Sequence, residues 1–101
     1  MRMNKTMKDI IIDFVAGAES GISGSKNNPG NLKIKGHQVI HFNTPILERD
    51  SEKYILNMTR YSIQTGRLQK LIKEILGQEK IITVLRVPMD YRGSLVDFII
   101  E

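Results

Sequence analysis

With 101 residues, 41% of them apolar and 26% charged, the chain has the composition of a folded domain and the length for one core rather than two. It contains no cysteine, which excludes disulfides and thiolate metal centres and fits a reducing compartment. Its net charge of +4 admits a phosphate-bearing partner without requiring one.

Residues 5–18 are expected to form a helix. Met7, Ile10, Ile11, Phe14, Val15 and Ala18 recur at the spacing of one helical face, with Asn4 as N-cap and glycines Gly17 and Gly21 weakening the far end. The same region has a basic start, Arg2, Lys5 and Lys8, followed by a small-residue stretch, Ala16-Gly17-Ala18. Asp9 and Asp13 nevertheless break the apolar run that an export signal needs, about 7–15 residues long. Nothing in the chain approaches the roughly 20 apolar residues of a membrane span. Neither export nor a membrane role is expected, and the location expected is the cytoplasm of a bacterial host.

Residues 19–31 are rich in Gly, Ser, Asn and Pro, without periodicity, and are expected to be a mobile connector. Strands follow within 32–58. Leu32 to Lys35 alternates, Gly36-His37 turns, Gln38 to Phe42 is β-branched and aromatic, and Thr44 to Arg49 continues, with Pro45 suggesting an edge or a bulge. Asp50-Ser51-Glu52 turns again, and Lys53 to Met58 returns. A second helix is expected over 65–76, with Leu68, Leu71, Ile72, Ile75 and Leu76 as its apolar stripe, Thr65 as N-cap and Gly77 as the stop. Strands over 80–87 and 94–100 complete a single domain spanning residues 1–101. The fold class expected is α+β: an antiparallel sheet of five to six strands with two helices packed on it.

Catalytic constellations are sparse. His37 and His41 supply two imidazoles but no third ligand, so no metal is expected. His41 and Ser62 lack the strand–turn–helix context of an activated serine. Neither enzymatic activity nor a cofactor is expected. The charge distribution is more informative. Residues 20–47 hold Lys26, Lys33 and Lys35 without an acid, and residues 53–73 hold Lys53, Arg60, Arg67, Lys70 and Lys73, again without one. Lys33, Lys35, Arg60, Arg67, Lys70 and Lys73 are therefore the candidate contacts to a partner or nucleic acid. Arg60-Tyr61-Ser62 and Thr65-Gly66-Arg67 crowd hydroxyls and guanidinium groups at a helix start, where free N–H groups suit an anion. Helix capping by Ser62 or Thr65 accounts for the same residues.

His41-Phe42-Asn43-Thr44-Pro45-Ile46, then Arg49, Asn57, Tyr61-Ser62, Thr65 and Gln69 form a spaced pattern over about residues 30–76. The pattern resembles a small domain of uncharacterised function found in phage and plasmid proteins. Its marks are an aromatic-x-Thr-Pro-aliphatic strand and a Tyr-Ser-x-Thr helix start. This chain has Gln64-Thr65-Gly66 where that domain often has two threonines. The resemblance brings no catalytic residues with it. In size and in its basic N-terminal half the whole chain also resembles small anti-CRISPR proteins of mobile elements, which block the RNA-guided nuclease of type II systems. That resemblance implies an inhibitor whose partner is the effector nuclease or its guide RNA, blocking guide loading or target engagement. The alternative is a small basic RNA- or DNA-binding module of a phage or plasmid.

Overall fold

The computed structural model describes residues 5–25, 29–77 and 80–99. Helix α1 runs Met7–Val15 and starts on a capping box. Thr6 Oγ1 accepts the Asp9 N–H at 3.1 Å, and the Asp9 carboxylate accepts the Thr6 N–H at 2.9 Å. Asn4, the cap expected from the sequence, lies outside the described residues. Six strands follow: β1 (Ser20–Gly24), β2 (Pro29–Lys35), β3 (Gln38–His41), β4 (Thr44–Asp50), β5 (Lys53–Asn57) and β6 (Ile81–Val84). Helix α2 (Ile63–Leu76) connects β5 to β6, and a 3-10 turn (Leu95–Phe98) closes the described chain.

The strands lie in sequence order in one sheet. The first five are antiparallel neighbours, and β6 pairs with β5 in parallel. The α+β class with two helices and a mostly antiparallel six-stranded sheet is therefore as expected. Parallel pairing needs a crossover longer than a hairpin, and α2 provides it.

Three local expectations are corrected. Within 19–31, expected to be a connector, Ser20–Gly24 instead pairs with Pro29–Lys35 as an irregular hairpin, and residues 26–28 lie outside the described residues. Ser23 is buried there, and its Oγ accepts the Leu32 N–H across the irregularity at 3.3 Å. The hydroxyl fits only because Gly30 has no side chain: a Cβ there would stand 2.2 Å from Ser23 Oγ. The expected strand over 80–87 stops at Val84, and Arg86 takes φ 64°, which ends extended pairing. Of the strand expected over 94–100, the described residues 94–99 contain a 3-10 turn instead, started by Ser94 Oγ accepting the Val96 N–H at 3.1 Å, and residue 100 lies outside the described residues. Pro45 does mark a bulge, since the register between β3 and β4 shifts at Val39/Ile40, opposite Pro45. It is not on an edge strand.

Both helices cover one face of the sheet. Ile10, Ile11 and Phe14 of α1 and Leu68 and Ile72 of α2 are buried with Leu32, Ile34, Val39, Leu47 and Leu56. Met7 and Ile75 pack at the margin of this core. Arg49 of β4 clamps α1: its guanidinium lies 4.4 Å from the Phe14 ring centroid and donates to the Phe14 and Ala18 carbonyls at the helix C-terminus. The opposite face is covered only in part. Ile55, Val84, Val87 and Leu95 form a second, smaller core over β5 and β6. Side chains alternate across a strand, so Lys33 and Lys35, flanked by inward Leu32 and Ile34, project from this second face.

Leu68→Ala should lower unfolding free energy by about 2–5 kcal/mol, because it leaves a cavity between α2 and the sheet. Ile12→Ala, at an exposed position of α1, should change it by less than about 0.5 kcal/mol. Urea midpoints of the two variants test this placement of the core.

Candidate functional site

The partly covered face carries a hollow of about 380 Å³ bounded by Lys33 and Lys35 of β2, Gln38 and Ile40 of β3, Asn43, Tyr91 and Arg92. The register explains the convergence. Lys33 pairs with Ile40, and Lys35 with Gln38, so these four side chains share one face of two adjacent strands. Tyr91 and Arg92 arrive from the segment after β6, which forms the far wall. The three cations make no salt bridge among the described residues.

Glu48 holds that wall in place. It is 8% exposed and stands beside Gln38 in the register. Its carboxylate accepts from Gln38 Nε2 at 2.8 Å, from Leu95 N–H at 2.8 Å and from the Ser94 hydroxyl. Gln38 Nε2 also donates to the Gly93 carbonyl at 2.9 Å. A buried carboxylate with these donors is satisfied without a cation. Tyr91 donates to the Asp97 carboxylate at 2.7 Å and meets the Phe98 ring edge-to-face at 4.8 Å. The Asp97 hydrogen bond raises the Tyr91 pKa above its usual value.

Next to this face the β3–β4 turn brings Phe42 and Asn43 to positive φ, 50° and 69°. That is the signature of a two-residue hairpin turn in which Asn and Gly are the comfortable residues and an aromatic is strained. Phe42 is 47% exposed, and its ring lies 4.4 Å from the ring of His41. A smaller hollow bounded by Ile22, Asn31, Lys33, Phe42 and Asn43 adjoins the basic one, and Lys33 borders both.

Phe42 also borders a cavity of about 430 Å³ at the start of α2, bounded by His41, Thr44, Tyr61, Thr65 and Met89 among others. His41 is 2% exposed, and its Nδ1 lies 3.0 Å from Thr65 Oγ1. Thr65 Oγ1 lies 3.1 Å from Ser62 Oγ, which accepts the Thr65 N–H as the N-cap of α2. Ser62 rather than Thr65 is thus the cap, and Thr65 joins cap to imidazole. Burial lowers the His41 pKa below its ordinary 6.5, and His41 Nε2 has no partner among the described residues.

The spaced pattern of residues 41–69 gathers at this point. Asn57 Nδ2 donates to the Pro45 carbonyl and to Tyr61 Oη, both at 3.0 Å. Tyr61 donates to the Val87 carbonyl, and Gln69 Nε2 donates to the Asn57 and Thr59 carbonyls at 2.7 and 2.9 Å. Thr44 Oγ1 accepts the Asp90 N–H at 2.9 Å. These residues build the start of α2 and attach the segment after β6 to it.

The six cations expected at a site fall into separate groups. Lys33 and Lys35 meet on the open face. Arg67 and Lys70 are exposed and Lys73 half-buried on α2, which covers the other face, and Arg60 is exposed in the β5–α2 connection. Arg92 completes the first group and escapes a reading of charge runs, because only folding brings it beside β2. Histidines 37 and 41 do not form a pair: His37 is exposed in the β2–β3 turn and His41 is buried beneath α2. Among the described residues no cluster of His, Asp or Glu could hold a metal ion, and no helix is long and apolar enough to cross a membrane. Comparison with protein-family models, curated proteins and solved structures finds no match to this chain.

The imidazole makes a pH prediction. Unfolded His41 takes a proton near its ordinary 6.5, whereas the buried ring resists it, so its contribution to stability is complete above that value and is lost as pH falls below it. The stability difference between parent and His41→Gln should therefore shrink between pH 7.5 and pH 5. A difference independent of pH in urea unfolding would contradict this assignment.

Proposed function

We propose that this protein is a small basic binding module whose open sheet face takes single-stranded RNA or DNA. The observation that carries the reading is the convergence of Lys33, Lys35 and Arg92 on one hollow together with Gln38, Asn43 and the Tyr91 ring. Cations follow a phosphate backbone, amides meet base edges, and rings stack on unpaired bases. The two accessible rings, Tyr91 and Phe42, border adjoining hollows that share Lys33. A strand laid across this surface therefore meets a ring in each hollow and a cation common to both.

A second reading comes from the resemblance to anti-CRISPR proteins and from the basic group on α2. In that reading the protein inhibits an RNA-guided nuclease of a type II system. The sheet face engages the guide RNA, and Arg60, Arg67, Lys70 and Lys73 meet the effector protein. The separation of the two basic groups by the sheet favours two contacts of different kinds over one continuous nucleic-acid stripe.

The discriminating experiment measures affinity for single-stranded RNA alone, for effector alone and for the assembled complex, each at several salt concentrations. The combined variant Lys33→Glu, Lys35→Glu, Arg92→Glu should weaken RNA binding at least about tenfold and lower the salt slope by about 2, given roughly 0.7 per phosphate contact on a single strand. The variant Arg67→Glu, Lys70→Glu, Lys73→Glu should leave RNA affinity within about threefold, since the sheet separates it from the strand. The reverse pattern would overturn the assignment of the sheet face. Tight binding to effector alone, with none to RNA, would replace it by a protein-inhibitor mechanism.

A further inference from the structure

We propose that the cavity at the start of α2 is a pocket for one unstacked nucleobase, with Phe42 as its gate and His41 as the group that reads the base edge. The proposal rests on the reading of the sheet face only for the way a base is delivered; the cavity itself is a separate structure.

Two observations point to a ligand. The imidazole of His41 lines the cavity, is 2% exposed and has a ring nitrogen, Nε2, that no described residue satisfies. A buried polar atom left unpaired costs about 1–3 kcal/mol, so it needs an explanation. The residue against its ring is Phe42, held at φ 50° on the tip of a hairpin, where Asn or Gly would be relaxed. A strained aromatic over an unsatisfied imidazole fits a cover that moves aside.

The chemistry of the walls selects the ligand. Phe42, Met89 and Tyr61 offer flat or polarisable apolar surface, and the volume of about 430 Å³ suits a small ring system. The polar element is the chain from Ser62 through Thr65 to His41. If Thr65 donates to Ser62, the imidazole donates from Nδ1 and presents Nε2 as an acceptor. If Ser62 donates to Thr65 and Thr65 to Nδ1, Nε2 carries the proton and donates. Two hydroxyl rotations and a change of tautomer thus switch the edge from acceptor to donor. Heteroaromatic bases carry both kinds of group on their edges. Phe42 borders both this cavity and the hollow that contains Lys33, so a strand held on the sheet passes the entrance.

The test uses the full chain and four free nucleosides: adenosine, guanosine, cytidine and uridine. At least one should shift the His41 and Phe42 ring resonances saturably in NMR titration. Phe42→Asn keeps a residue that tolerates the turn and removes the ring, and Met89→Ala trims an exposed wall that is 72% accessible. Each should remain folded and weaken nucleoside binding, Phe42→Asn by about 5- to 100-fold for a lost stacking contact. No shift at His41 with any of the four nucleosides at millimolar concentration would overturn the pocket, as would equal affinity in both variants. Oligonucleotide binding without a nucleoside response would overturn the pocket and spare the sheet-face reading. A nucleoside response without oligonucleotide binding would do the reverse.

Discussion

The buried carboxylate of Glu48 governs how much of the sheet this protein leaves open. It projects from the face that the helices do not cover and needs donors once removed from water. The Leu95 amide and the Ser94 hydroxyl come from the segment after β6, and Gln38 completes the set from β3. These contacts hold the C-terminal segment over β5 and β4 and bring Gly93 to Gln38 at the end of β3. Leu95 closes over Ile55, and Tyr91 and Arg92 become a wall beside Lys33 and Lys35. Were the segment to run one strand further, the basic hollow would be covered. An apolar residue at 48 would pack Ile55 as well, but would not fix where the segment ends.

A second polar network sets the other end of the site. Asn57, Tyr61, Gln69 and Thr59 tie the end of β5, the start of α2 and Val87 into one unit, through side chains that meet backbone groups. Such networks specify a geometry because each unsatisfied member would be costly. The start of α2 is therefore tied to its neighbours on several sides, and left-handed backbone occurs beside it at Phe42 and Asn43 and again at Asp90.

Much of this was legible in the sequence for physical reasons. Apolar spacing located both helices because each must bury a stripe. Alternation located β2 to β5 because the face covered by helices needs Leu32, Ile34, Leu47 and Leu56 inward. What could not be read depended on tertiary contacts. Strand β1 looks like a loop because Gly and Ser have poor strand propensity, and it is held by pairing with β2 and by the fit of Ser23 against Gly30. Val96, Phe98 and Ile100 alternate like a strand, but Glu48 and the Ser94 cap bend the backbone into a 3-10 turn over residues 95–98. The charge runs identified Lys33 and Lys35 and could not supply Arg92, which is distant in sequence. By residue type alone His41 and Ser62 suggest an activated serine. Their actual relation, through Thr65 to a helix cap, depends on β3 lying beneath α2.

The half of the sheet left open by the C-terminal segment is the face we propose for binding. Backbone amide shifts recorded during titration with a short single-stranded RNA map the contact directly. The account predicts that the largest changes fall on β2, β3, the Phe42-Asn43 turn and residues 91–93, with the exposed side of α2 unaffected. Changes confined to α2 around Arg67 and Lys70, with β2 and β3 silent, would contradict it.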